Sequence, residues 1–307
     1  MDSHVERDRK RHRRARVRRK AVIRGVHTLP SLATLGNAVS GFAAIYVATL
    51  TPIDAVDAAT ITSVDPITAF FMRHTVVAAI YLIALAMIFD ALDGRLARIA
   101  RHTTDFGGQL DSMADMVSFG VAPAIIALKV FRFDGVDLPL VLTRLIFGVS
   151  MMYVACAALR LARFNVTNEH GEQHHMSFLG LPSPAAGGAV CGLALMQQDL
   201  LQEAVRFAGS GIGSTLHVLS IIATIAVPVV TLGAALLMVS NIRYPHLVNR
   251  GLRGRRNLGV LVLAVGIVAL LIVQHRYVLG LFALTLMLSG PIVWLHGRWR
   301  RAHASAS

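Results

Sequence analysis

The sequence is poor in charged residues and has very few cysteines. Charged side chains make up 15% of its 307 residues and hydrophobic ones 55%, which is too apolar for a soluble domain of this length. The two cysteines, Cys156 and Cys191, both fall inside apolar runs, so we interpret them as small buried hydrophobic residues and not as a disulfide or metal site. A cleavage-type pattern is also missing from the first 28 residues. This favours a retained membrane anchor over a removed signal peptide.

Long apolar runs predict an all-α fold, a polytopic membrane helix bundle. A helix needs about 20 residues to cross a bilayer, and eight runs approach that length. We place these spans at 29–50, 75–93, 112–131, 138–159, 181–197, 217–239, 258–273 and 277–296. The predicted organisation is a basic tail at 1–24, a membrane domain at 25–297 and a C-terminal tail at 298–307.

Basic residues collect on one side of this predicted topology. Eleven arginines and lysines lie between Arg7 and Arg24, and further arginines follow the second, fourth, sixth and last spans. Since cytoplasmic loops collect Lys and Arg, we predict an inner-membrane protein with both termini in the cytoplasm. The net charge of +13 is then explained by topology and by contacts with anionic lipid headgroups, and nucleic acid is not expected as a partner. The basic tail is expected to be partly disordered and partly interfacial.

Four aspartates stand out at the cytoplasmic ends of the second and third spans. They lie in the stretch DALDGRLARIARHTTDFGGQLDSMAD, residues 90–115. At about 100° per residue, Asp90 and Asp93 share one face of the second helix, and Asp111 and Asp115 share one face of the third. The short connecting loop makes these helices antiparallel neighbours, so we expect the two carboxylate faces to meet.

Four converging carboxylates need a positive charge between them. Oxygen ligands suit hard cations such as Mg²⁺ or Mn²⁺, and a pair of such ions suits in-line phosphoryl displacement. One alternative is structural ion pairing of Asp90 and Asp93 with Arg95 and Arg98. Another is a transporter, which would place acids at membrane mid-depth in several spans, whereas these acids cluster at one membrane face.

Other residues beside the aspartates suit a phosphate ligand. Gly94 and Gly107 lack side chains, which lets a nucleotide or phosphate approach the helix backbone closely. Arg98 offers a planar fork of donors to a phosphate.

The spacing of these residues resembles the full signature of the CDP-alcohol phosphotransferase family: Asp90-x2-Asp93-Gly94-x2-Ala97-Arg98-x8-Gly107-x3-Asp111-x3-Asp115. The resemblance implies that Asp90, Asp93 and Asp111 ligate metal and that Asp115 is a further ligand or the general base acting on the acceptor alcohol. It also implies that Gly94, Ala97, Arg98 and Gly107 shape the site for the CDP moiety. The family's six-helix core would occupy the first six spans, which leaves the last two as an addition.

Flanking motifs narrow the resemblance. LPSLATLGNAVSGFAAI, SFGVAPA, ALRLARFNV and FLGLPSPAA together resemble the bacterial and archaeal integral-membrane phosphatidylserine synthases. This implies transfer of a phosphatidyl group from CDP-diacylglycerol to L-serine by a homodimer. Enzymes that use glycerol 3-phosphate or inositol phosphate share the aspartate signature, so these acceptors stay open.

Four more site residues follow from this narrower resemblance. Thr34 and Asn37 are candidates for the nucleotide side of the site, although Ser31 stands where relatives commonly have Asn. Arg160 and Arg163 read alone as positive-inside anchors, but the resemblance makes them candidates for binding the acceptor. The Pro-Ser-Pro sequence at 182–184 either starts a helix or lines the serine pocket, and we favour the helix start.

Overall fold

The computed structural model describes residues 31–50, 66–100, 105–131, 140–169, 180–242, 244, 274, 276–294 and 296. The predicted N-terminal tail, the predicted span at 258–273 and the predicted C-terminal tail lie outside these residues. At Ala97 and Arg98 the backbone is described and helical, but the side chains are not described.

The described chain is helical almost throughout. We label the helices α1 (Ser31–Thr49), α2 (Pro66–Arg73), α3 (Thr75–Ala100), α4 (Asp105–Asp115), α5 (Ala122–Phe131), α6 (Leu140–Glu169), α7 (Ser183–Arg206), α8 (Gly211–Val239) and α9 (Arg276–Trp294). A π-helical turn, Met116–Val121, joins α4 to α5 within one continuous span.

Six helical segments of the described chain are long and apolar enough to cross a membrane. They are α1, most of α3, the combined span Phe106–Phe131, most of α6, α8 and α9. This confirms a polytopic membrane helix bundle. The fifth predicted span corresponds to α7, which lies within the bundle but carries Gln197, Gln198, Asp199, Gln202 and Glu203 in its second half. These polar residues explain why α7 is not among the six.

Several helices are longer than the apolar runs that predicted them. The predicted end of the second span at residue 93 becomes Ala100 in α3, and that of the fourth span at residue 159 becomes Glu169 in α6. Helical hydrogen bonding continues into the arginine-bearing turns at the membrane edge, whereas hydropathy marks only where the apolar run stops. The positions that carry the candidate site residues are therefore helical.

Small side chains allow the helices of the core to approach closely. The helix α7 runs through the middle of the bundle, packs most extensively on α8, and also contacts α3, α5 and the π-helical turn. Its buried residues are mostly alanine, glycine and valine, as is usual where membrane helices pack together. Large apolar side chains such as Phe42, Phe147 and Ile225 are exposed on the outside, where lipid would surround them.

The turns on either side of α7 have specific local causes. Gly180 has φ 83° and Gly209 has φ 86°, and such backbone is readily adopted by glycine. The next helix, α8, is capped at its start because Ser210 Oγ accepts a 3.1 Å hydrogen bond from the Gly213 N–H. Pro184 stands in the first turn of α7, where its missing N–H costs little.

Candidate active site

Three of the four carboxylates predicted to meet lie together at one end of the bundle. Asp90 of α3 and Asp111 and Asp115 of α4 each offer a carboxylate oxygen that lies within 4.8 Å of the other two. Asp111 and Asp115 share a face of α4 because they are one helical turn apart. We call these three residues the aspartate cluster. Oxygens on opposite sides of a cation with ligand distances of about 2.1–2.5 Å are about 4–5 Å apart, so the cluster fits a divalent metal ion.

Asp93 lies beside the aspartate cluster but not within it. Its side chain is only 7% exposed, and Thr34 Oγ1 of α1 donates a hydrogen bond to its Oδ2. A buried carboxylate is costly unless it is hydrogen-bonded or paired, and Thr34 supplies part of that compensation. The fourth predicted ligand is therefore oriented by α1.

Asn37 holds Asp115 in a similar way. Its Nδ2 donates a 3.1 Å hydrogen bond to Asp115 Oδ1, and the asparagine side chain is fully buried. Asn37 Oδ1 has no hydrogen-bond partner among the described residues. A buried acceptor of this kind is normally satisfied by a donor, and water on a bound cation is a suitable one.

Arg160 of α6 brings positive charge to the edge of the cluster. Its guanidinium donates to Ser183 Oγ at the start of α7 and interacts electrostatically with Asp115 and Asp90. In the part of the chain that the structure describes, no arginine forms an ion pair with any of the four aspartates. The alternative in which Asp90 and Asp93 pair with Arg95 and Arg98 is therefore not supported for Arg95, and the Arg98 side chain lies outside the described residues.

Arg163 points to a different place, although it is only three residues further along α6. Its Nη1 donates to the backbone oxygen of Val239 at 3.4 Å and to Asn241 Oδ1 at 3.3 Å, at the C-terminal end of α8. A cation is favourable at that end of a helix dipole. The two arginines that the sequence grouped together thus bond to different helices, Arg160 to the start of α7 and Arg163 to the end of α8.

The remaining predicted site residues follow the aspartates along α3 and α4. Gly94 is exposed, and a Cβ added there would meet no described atom within 4 Å, which leaves room beside Asp93. Gly107 is half-buried one turn before Asp111. The side chains of Ala97 and Arg98 lie outside the described part of the chain.

Sequence reasoning missed two residues near the cluster. For Ser183 the sequence favoured a helix start over a place in the serine pocket, yet its side chain contacts Arg160. Tyr153 is fully buried and bonds the turn that follows Asp115. A signal was present for Tyr153, because it precedes Arg160 by two helical turns and so shares its face of α6.

Comparison with known proteins places this geometry in context. A model of the family described as CDP-alcohol phosphatidyltransferase matches residues 27–231. A CDP-diacylglycerol–serine O-phosphatidyltransferase of Helicobacter pylori is 33% identical over 222 residues, which cover 71% of this chain and 80% of that protein. Proteins of the same name are 34% identical over 169 residues in Methanocaldococcus jannaschii, covering 55% of this chain and 64% of theirs, and 40% identical over 140 residues in Saccharomyces cerevisiae, covering 44% and 48%.

Proposed function

We propose that this chain, which belongs to the CDP-alcohol phosphatidyltransferase family, transfers a phosphatidyl group from CDP-diacylglycerol to L-serine and releases CMP. The observation that carries the chemistry is the aspartate cluster, in which three carboxylate oxygens lie within 4.8 Å of one another. The choice of serine is supported by the names of the similar proteins, of which the Helicobacter pylori protein matches 71% of the chain.

Metal binding is assigned to the aspartates. Asp90, Asp93 and Asp111 are proposed ligands, with Asp115 as a further ligand or as the base, and the cofactor is proposed to be two ions of Mg²⁺ or Mn²⁺. When bound, such ions stabilise the attacking and leaving oxygens of an in-line displacement at phosphorus.

Asp115 is proposed to activate the acceptor. It takes the proton of the serine hydroxyl, and the hydroxyl oxygen forms a bond to the phosphorus that bears diacylglycerol. The bond between that phosphorus and the CMP oxygen breaks, and CMP leaves with the bonding electron pair. Asn37 binds Asp115 Oδ1, which keeps the direction of the carboxylate fixed while the proton moves. A general base must be held within hydrogen-bond reach of the proton that it accepts.

The CDP moiety is proposed to lie along the exposed side of α3 and the start of α4. Gly94 and Gly107 allow it to approach the backbone, Ala97 lies between these two glycines in the signature, and Arg98 would bind phosphate. Thr34 and Asn37 contribute on the nucleotide side by orienting Asp93 and Asp115.

The acceptor is proposed to bind next to α6. Arg160 interacts electrostatically with Asp115, so a serine carboxylate on its guanidinium would place the serine hydroxyl near the proposed base. Arg163 is a second candidate for binding the acceptor. Its contacts with the end of α8 support a structural role beside the acceptor site.

We also propose the setting in which the enzyme works. The arginines near the site-bearing ends of α3 and α6 support a cytoplasmic active site and cytoplasmic termini in the inner membrane. Anionic lipids are proposed to surround the basic residues. The catalytic domain is proposed to extend over 25–297. The protein is proposed to act as a homodimer.

The decisive experiment measures CMP release from CDP-diacylglycerol by the purified full-length protein. L-serine, glycerol 3-phosphate and inositol phosphate are compared as acceptors, and we expect release with L-serine. CMP release with only one of the other acceptors would support the proposed reaction but identify that acceptor, and not L-serine, as the substrate. Release with none of the three would refute an enzyme of this class and restore the transporter alternative.

A further inference from the structure

The span that carries Asp111 and Asp115 changes its geometry directly after Asp115. There α4 ends, and six residues, Met116–Val121, form a π-helical turn before α5 continues the span. Turns of this kind are rare and occur frequently at functional sites. Since a π-helical turn adds about one residue to the helix, it rotates the two halves of the span by about 100° relative to each other. The direction of Asp115 relative to the rest of the bundle therefore depends on this turn.

Pro123 gives the turn a cause in the sequence. Proline has no N–H, and its ring clashes with the backbone carbonyl four residues earlier, which here is the carbonyl of Phe119. Within the turn, the Ala122 N–H donates to the backbone oxygen of Val117, which is five residues earlier, as in a π-helix. The Phe119 oxygen therefore lacks the donor that residue 123 would supply in an α-helix, and because this oxygen is buried another donor is favourable.

Tyr153 of α6 supplies that donor. Its hydroxyl donates a 2.9 Å hydrogen bond to the backbone oxygen of Phe119, and its side chain is fully buried. Because Arg160 lies two turns further along the same face of α6, one helix contacts both the π-helical turn and the edge of the aspartate cluster.

The turn is also held by α1. Ser118 Oγ donates a 2.9 Å hydrogen bond to the backbone oxygen of Asn37. A Cβ added at Gly41 would lie 2.8 Å from the Ser118 Cα, so α1 and the turn are in direct contact. Asn37 also binds Asp115 through its side chain. The same residue of α1 therefore connects the turn to the proposed base.

We propose that Tyr153 is a positioning residue, whose hydroxyl fixes the π-helical turn after Asp115 and thereby sets the direction in which Asp115 faces the other carboxylates. This inference deepens the proposed function, because it concerns the carboxylate assigned there as ligand or base. Tyr153 acts through the turn and through Asp115, and its hydroxyl is committed to the Phe119 carbonyl.

The test is the Tyr153→Phe variant of the full-length protein, with Mn²⁺ alone as the probe. Replacing a residue that orients a metal ligand typically lowers metal affinity or activity by about 10- to 100-fold. We therefore expect Mn²⁺ to bind at least about tenfold more weakly and kcat to fall by a similar factor, while KM for CDP-diacylglycerol stays near the wild-type value. Mn²⁺ affinity equal to that of the wild type would overturn the proposal.

Tyr244→Phe is the matched control. The Tyr244 hydroxyl also donates to a backbone carbonyl, that of Met287 at 3.1 Å, and Tyr244 is also buried. This bond joins the segment after α8 to α9 and involves none of the four aspartates. The control should lower thermal stability as much as Tyr153→Phe does and leave Mn²⁺ affinity and kcat unchanged. An equal loss of Mn²⁺ affinity in both variants would show that Tyr153 has only a general structural role, and it would overturn the proposal.

A second variant keeps the test decisive if Tyr153→Phe does not fold. Ser118→Ala removes the hydrogen bond that holds the same turn from α1, and we expect weaker Mn²⁺ binding at a normal unfolding temperature. Unchanged affinity in Ser118→Ala, or failure of both variants to fold while Tyr244→Phe folds, would overturn the proposal. A wild-type protein that binds Mn²⁺ but releases no CMP would instead refute the proposed function.

Discussion

The side-chain amide of Asn37 donates a 3.1 Å hydrogen bond to Asp115 Oδ1, across 78 residues of sequence. This bond joins α1, which has none of the signature aspartates, to the carboxylate proposed to act as the base. Thr34 does the same for Asp93, one helical turn earlier on α1. The first helix is therefore the element that orients two of the four carboxylates.

Asn37→Leu should lower kcat by about tenfold or more, because Asp115 would lose the donor that orients it. The measurement is the rate of CMP release at saturating substrates. Gln202→Leu is the control, since Gln202 is a partly buried amide that contacts His74, at the opposite end of α3 from Asp90. Equal rates for Asn37→Leu and the wild type would contradict the orienting role of Asn37.

Asp115→Asn should abolish turnover and leave the protein folded. The asparagine keeps an oxygen that accepts from Asn37, so the buried contact is retained, but the group can no longer take a proton from serine. CMP release and the thermal unfolding temperature are measured together. Near-normal CMP release by this variant would exclude Asp115 as the base.

The local part of the site was predictable from the sequence. Residues three, four and eight positions apart share a helix face by geometry alone, which is why Asp90 and the pair Asp111 and Asp115 were expected to converge, as they do. The short loop between the second and third spans likewise predicted that these helices run antiparallel.

The parts that sequence reasoning missed depend on distant residues. The π-helical turn is stabilised by Tyr153, 34 residues away from Phe119, and Asp93 is bound by Thr34, 59 residues away. No local period encodes such pairs. The same holds for Arg160 and Arg163. Their spacing on α6 could be predicted from the sequence, but their different partners on α7 and α8 could not.

Removal of divalent metal should silence the enzyme. A chelator is expected to stop CMP release, and added Mn²⁺ or Mg²⁺ should restore it, because three carboxylate oxygens within 4.8 Å repel one another without a cation. Asp111→Asn, which removes one charge of the cluster, should need at least about tenfold more Mn²⁺ for half-maximal activity. Activity that resists the chelator would contradict the metal assignment.

Arg160 and Arg163 should differ when each is replaced by lysine. Lysine keeps the charge but loses the planar fork of donors, so Arg160→Lys is expected to raise KM for L-serine by about tenfold. KM for CDP-diacylglycerol should stay within about twofold of the wild type. Arg163→Lys should instead lower thermal stability, because Arg163 binds the end of α8. An equal rise in serine KM for both variants would contradict this division of roles.

The packing of α9 on α7 depends on a pair of glycines, Gly192 and Gly280. A Cβ added at Gly192 would lie 2.6 Å from the Gly280 Cα, so Gly192→Ala should force the helices apart and cost about 1–3 kcal/mol of stability. Gly148→Ala is the control, since a Cβ there would meet no described atom within 4 Å and alanine is favoured over glycine in a helix. Thermal unfolding in detergent should show a lower midpoint for Gly192→Ala and an equal or higher one for Gly148→Ala. Because Gly192 lies far along α7 from Ser183, the folded Gly192→Ala protein should keep the wild-type KM for serine. Equal midpoints for the two variants would show that this close approach does not hold α9 in place.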